Sequence, residues 1–117
     1  MEIAPDTVFP QRQAGEISLT TWDSVAAGDT CTAFVLSVYS DRVVQVEGVF
    51  GGASVALQGS NDGVNYHTLT DPQGNALSFA AGGLETVMEL PYYIKPLLSG
   101  GDGTTNLTIT LSGRRSF

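Results

Sequence analysis

The stretch Val43-Val44-Gln45-Val46-Glu47-Gly48-Val49-Phe50-Gly51-Gly52-Ala53-Ser54-Val55-Ala56-Leu57-Gln58-Gly59-Ser60 decides the fold class. Val44 and Val46 alternate with Gln45 and Glu47, and Val55 and Leu57 alternate with Ser54, Ala56 and Gln58. A period of two is the mark of a strand with one face on a core and one in water. Gly51-Gly52 between the two runs is a turn signal, so the sequence predicts a β-hairpin over 42–60. Gly48 interrupts the first run and predicts a bulge or a close approach by another backbone.

The same alternation extends in both directions. Upstream, Ile17, Leu19 and Thr21 alternate with Ser18, Thr20 and Trp22. Thr32, Phe34, Leu36 and Val38 form a run that is apolar on both faces, as expected for a central, covered strand. Downstream, Ser60-Asn61-Asp62-Gly63 and Asp71-Pro72-Gln73-Gly74-Asn75 read as turns. Short strands follow at Tyr66–Thr70 and from Leu77. Leu84, Met88 and Leu90 then alternate with Glu85, Val87 and Glu89. A further strand runs from Tyr92 to Leu98, with Pro96 confining it to an edge or a bulge. Leu107, Ile109 and Leu111 close the series against Asn106, Thr108 and Thr110. No stretch carries a capped helical period. The expectation is an all-β protein, a jelly-roll-like antiparallel β-sandwich of eight or nine strands over 17–117. Residues 1–16, with Pro5, Pro10 and Gly15, are expected to form an extended N-terminal arm.

Composition narrows the function. The 117 residues suffice for one domain. Charged residues are only 15% and the net charge is −7, with Arg12, Arg42, Lys95, Arg114 and Arg115 the only cations. Such a chain is poorly suited to a phosphate backbone, so no nucleic-acid partner is expected. No apolar run approaches the roughly 20 residues that cross a bilayer, so no membrane partner is expected either. Met1–Asp6 lacks a basic start and an apolar run, which predicts synthesis in the cytoplasm. A charge-poor, Thr- and Ser-rich surface suits packing against other subunits.

Chemistry is scarce. His67 is the only histidine and Cys31 the only cysteine, too few for a standard zinc site. No G-x-S-x-G elbow accompanies His67. Cys31 reads as a packed thiol on a strand. Asp102 and Asn106 could face a calcium ion, but their loop lacks the acidic repeat of an EF-hand. No enzyme activity, cofactor or metal is expected.

The segments Val44–Gly48, Gly52–Gly63, Leu69–Leu77, Tyr93–Pro96 and Gly100–Thr105 together resemble the head decoration, or cement, proteins of tailed phages. The resemblance covers about two-thirds of the chain, Val43 to Arg115. It implies a sandwich on the outer surface of the virion capsid, clamping neighbouring major capsid proteins as a homodimer or a trimer. Three contact regions are then expected: Val8, Phe9 and Arg12 on the arm; Trp22, Tyr92 and Tyr93 as an aromatic edge, if exposed; and Arg114, Arg115 and Phe117 at the end. A tail or neck component of the virion is an alternative within the same class. Separately, Leu57–Tyr66, a strand running into S-N-D-G and then an aromatic, resembles discoidin-like carbohydrate-binding sandwiches. That alternative implies a glycan platform at Tyr66 and Trp22.

Overall fold

The computed structural model of the protein describes residues 1–8, 17–35 and 40–114. Those residues form twelve strands and no helix: β1 (Glu2–Ile3), β2 (Asp6–Val8), β3 (Ile17–Val25), β4 (Thr30–Cys31), β5 (Phe34–Val35), β6 (Ser40–Val49), β7 (Ala53–Ser60), β8 (His67–Thr68), β9 (Ser78–Phe79), β10 (Gly83–Thr86), β11 (Tyr93–Gly100) and β12 (Asn106–Arg114). One sheet has the order β10-β6-β12-β3-β2. The facing sheet has the order β5-β11-β7-β8, with β9 also on β7. Among the described residues both are antiparallel throughout, and the only parallel pair is β1 with β4. The all-β sandwich expected from the alternation is what forms.

Alternation places the core. Val44 and Val46 of β6, Ile109 and Leu111 of β12, and Trp22 of β3 face Val55 and Leu57 of β7 and Ile94 of β11. Fully burying an aliphatic side chain of this size contributes about 1.5–3 kcal/mol. Cys31 joins this cluster, and burial pushes its thiol up to about 11.

The 42–60 hairpin does not form. β6 pairs with β10 and β12, and β7 pairs with β11, β8 and β9. Phe50–Gly52 is therefore an arch that carries the chain from one sheet to the other. Period two says which face of a strand is buried, not which strand lies beside it. Here the two inward faces meet each other across the core instead of sharing a ladder. A second arch, 101–105, joins β11 to β12 and stacks on the first: Thr105 Oγ1 donates to the Phe50 carbonyl at 2.8 Å. Gly51, at φ +56°, sits where a Cβ would strike the side chains of Asp102, Thr104 and Thr105. Gly48 is the close approach its sequence predicts. At φ +123°, a Cβ there would run into the carbonyl oxygen of Asn106.

Three other expectations change. The strand read as central at Thr32–Val38 is, in its described part, only β5, and it lies at a sheet edge; 36–39 lie outside the described residues. Its apolar pattern reflects Phe34 in the core, while Val35 is 43% exposed. Residues 1–8 do not stand off as an arm. β1 pairs with β4, β2 pairs with β3, and Ile3 packs against the core. The rest of the expected arm, 9–16, lies outside the described residues. Finally, β11 with Pro96 lies between β5 and β7, but β5 reaches only Tyr93 and Ile94, so among the described residues Pro96 is paired on one side alone.

Arg42 is a core residue that its charge did not advertise. It is 2% exposed, lies inside the sandwich beside Ser18, Phe34 and Leu111, and donates to the Pro91 carbonyl at 3.4 Å. Burial lowers its pKa.

Candidate interaction surface

The segment from β10 to β11 crosses from one sheet to the other with most of its large apolar side chains exposed. Val87 is buried, and its N–H donates to the Arg42 carbonyl on β6. Leu84 lies opposite Gln45, on the outer face of the sheet. Met88 N–H donates to the Thr70 carbonyl, while the Glu89 carboxylate turns back to accept from Thr70 N–H at 2.8 Å and Thr70 Oγ1 at 2.5 Å. Desolvation is the largest single influence on Glu89 and pushes its pKa up, but the hydrogen bonds together outweigh it and hold the carboxyl below its ordinary value. What remains outward is Leu84 (63% exposed), Met88 (60%), Leu90 (54%) and Tyr92 (48%).

Tyr92 and Tyr93 meet edge to face, with centroids 4.8 Å apart and planes at 80°. The turn 60–65 braces them. Asn61 Oδ1 accepts from Tyr92 N–H at 3.0 Å, and Gly63 lies against the Tyr93 ring. Asp62 organises this turn by accepting from the N–H groups of Asn65 and Val64, the Asn65 amide and the Ser60 hydroxyl. The backbone N–H of Asn65, then that of Val64, hold its carboxyl far below the ordinary range. Behind the tyrosines, Lys95 Nζ stands 4.2 Å over the centre of the Tyr66 ring. Burial raises the Tyr66 hydroxyl pKa, with Tyr93 and Asp62 adding to it. A shallow groove of about 350 Å³ lies beside the turn, lined by Asn61, Asn65, His67, Glu89, Leu90 and Pro91 among others.

The residues singled out from sequence separate. Tyr92 and Tyr93 stand together at the start of β11. Trp22 does not join them: it is fully buried, and its Nε1 donates to the Thr32 carbonyl at 2.8 Å. Its place on β3 opposite Ile109 points it inward, so it is neither an interface residue nor a glycan platform. Val8 is half exposed on β2, opposite Leu19 on the outer face of the five-stranded sheet. Arg114 ends β12 on that sheet, opposite Ile17. Phe9, Arg12, Arg115 and Phe117 lie outside the described residues. The sequence reading missed Leu84, Met88 and Leu90 as surface residues. Their alternation with Glu85, Val87 and Glu89 was visible, but nothing in it said that Val87 takes the core side.

Among the described residues no three His, Cys, Asp or Glu side chains gather as metal ligands. Asp102 caps its own loop, accepting from the N–H and hydroxyl of Thr104, while Asn106 is drawn into β12 opposite Val49. His67 is exposed on β8 opposite Gly59. No described helix is long and apolar enough to cross a membrane.

No family model matches the chain, and neither a curated protein nor a solved structure matches it.

Proposed function

We propose that the chain is a non-enzymatic structural protein of a tailed-phage virion, which binds the outer surface of the capsid and clamps neighbouring major capsid proteins. The observation that carries the binding role is the outward row Leu84, Met88, Leu90 and Tyr92 on a body with few charges. Large apolar side chains left exposed in close succession along one segment suit an interaction site, and aromatic and methionine side chains are enriched among the residues that dominate binding. The capsid as partner is taken from the resemblance to decoration proteins. So is self-association into a dimer or trimer, which open sheet edges also favour.

The test is add-back of purified protein to heads that lack it, with occupancy read by quantitative gel. A Met88→Asp, Leu90→Asp variant is expected to bind roughly tenfold more weakly or worse. Unchanged occupancy of that variant, with wild type bound, would remove the row from the interface. Failure of wild type to bind at all would remove the capsid reading.

The groove beside the 60–65 turn favours a second reading, a glycan-binding module, because amides, an imidazole and a carboxylate line it beside Leu90 and Pro91. This reading has lost Trp22 to the core, and Lys95 occupies one face of the Tyr66 ring. Binding of the isolated domain on a glycan array decides it.

A further inference from the structure

We infer that the free edge of β10 is a strand-addition site for an extended segment of another protein, one that carries a lysine or arginine between two apolar residues. This deepens the capsid reading and rests on it only for the identity of the partner.

The direction of the backbone groups follows from one hydrogen bond. Val87 N–H donates to the Arg42 carbonyl at 2.9 Å, on the β6 side. Backbone groups alternate in direction along a strand. With Glu85 opposite Val44, the N–H and C=O of Glu85 and Val87 face β6, and those of Leu84 and Thr86 face away from it. β10 ends its sheet, so among the described residues no strand takes these groups. From Met88 onward the edge is covered, because Met88 N–H is bonded to Thr70. The open stretch is thus Gly83–Thr86. It has no proline or bulge to bar a further strand; its protection is its four-residue length and the inward-facing charge of Glu85, which selects what can pair there.

The surroundings specify the occupant. A groove of about 330 Å³ runs between this edge and the edge of the other sheet. Asp71, Ser78, Phe79, Gly83 and Glu85 are among its lining residues, and no Lys or Arg is. Glu85 lies opposite the inward-facing Val44, so it is on the groove side of β10 while Leu84 and Thr86 are on the outer side. A strand laid along β10 places alternate side chains on these two sides. The one across from Glu85 enters the groove, where the Glu85 carboxylate and no cation among the lining residues meets it. Its neighbours lie beside Leu84 and Thr86. Opposite charges directly across a strand pair stabilise it, and like charges destabilise it. A second copy of β10 would bring only its own Glu85 to the edge, which disfavours self-pairing here.

The experiment uses the full chain and an acetylated eight-residue peptide of alternating valine and lysine, with a valine–glutamate peptide as control. The lysine peptide is expected to protect the amides of Leu84 and Thr86 from hydrogen exchange, while the glutamate peptide does not. Glu85→Lys is expected to weaken the lysine peptide roughly tenfold or more and to admit the glutamate peptide. Thr86→Pro removes an outward N–H that β6 does not use, and should weaken binding similarly while leaving the sheet intact. Several results would overturn the inference: no binding of the lysine peptide, protection elsewhere on the molecule, equal binding by Glu85→Lys, or peptide-free protection of these two amides that grows with protein concentration. Head occupancy separates the two claims. If Glu85→Lys decorates heads as wild type does, strand addition is rejected and the capsid reading stands. If the peptide results hold and wild type ignores heads, the edge site stands without that partner.

Discussion

Two of the passages that carry this chain between its sheets use their apolar residues in opposite ways. From 40 to 60 nearly every aliphatic on the alternating face goes inward: Val44, Val46, Val55 and Leu57 are all at most 1% exposed. From 76 to 92 only Leu77, Phe79 and Val87 do so, while Leu84, Met88 and Leu90 stand in water. The first passage is built to hold the sheets together. The second holds itself by backbone bonds to Arg42 and Thr70 and keeps a surplus of apolar surface that the fold does not consume. The proposed binding role rests on this surplus being concentrated on one segment, because scattered exposure would need no explanation.

The comparison breaks most visibly under one substitution made in both passages. Leu57→Ala is expected to cost about 2–5 kcal/mol, because it opens a cavity where both sheets meet. The urea midpoint, with the slope checked for constancy, reads this directly. A loss below about 1 kcal/mol would mean that the site collapses around the smaller side chain, and that the first passage is less committed to the core than its burial says.

Gly48→Ala comes next, at about 1–3 kcal/mol. Alanine at φ +123° is strained, and its Cβ meets the Asn106 carbonyl, so β6 and β12 would have to part at that point. The same urea titration measures it, and amide exchange at Val49 and Leu107 should rise locally. No change in stability would show that the backbone relaxes there without harm to the ladder.

How much of this was legible in the sequence depends on what each signal encodes. Alternation named the buried faces of β6, β7 and β12 correctly, since side-chain direction is a local property of a strand; on β3 it separated the two faces without saying that Ser18, Thr20 and Trp22 form the buried one. Pairing is not local. Gly51-Gly52 reads equally as a hairpin turn or as an arch, and only the pairing of β7 with β11 across 53–100 selects the arch. Trp22 and Arg42 were open for the same reason: large amphipathic side chains go wherever a carbonyl waits, and Thr32 and Pro91 supply those carbonyls from connections elsewhere in the chain. Gly48 was legible because a glycine in the middle of a strand has few other uses. The surface row was half legible. Its alternation was plain, but the side that Val87 takes is set by β6.

The second passage leans on the 60–65 turn, and pH probes that brace. Asp62 titrates below its ordinary value in the folded protein because the turn's N–H groups bond to the carboxylate. In the unfolded chain it returns to about 3.9. A depressed folded pKa means that the stabilisation is complete above the ordinary carboxylate range and is lost as pH falls through and below it. Asp71 and Asp102 are shifted in the same direction, first by the N–H of Asn75 and by the Thr104 hydroxyl respectively. The urea midpoint should therefore hold from pH 7 to about 5 and fall toward pH 2.5. Asp62→Ala should lower it at pH 7 and flatten the decline. An unchanged slope in that variant would show that the turn forms without its carboxylate.

The smallest expected effect is the most informative about the contrast. Leu84→Ala should change stability by about 0.5 kcal/mol or less, since the side chain is 63% exposed and rests on a two-stranded ladder with no core beneath its outer face. The same removal of three carbon atoms at Leu57 is expected to cost several times more. If Leu84→Ala proved as costly as Leu57→Ala, the outward row would be supporting the fold, and its exposure would no longer point to a partner. If it is silent in the urea titration yet weakens the valine–lysine peptide, then stability and binding reside in different passages of the same sandwich.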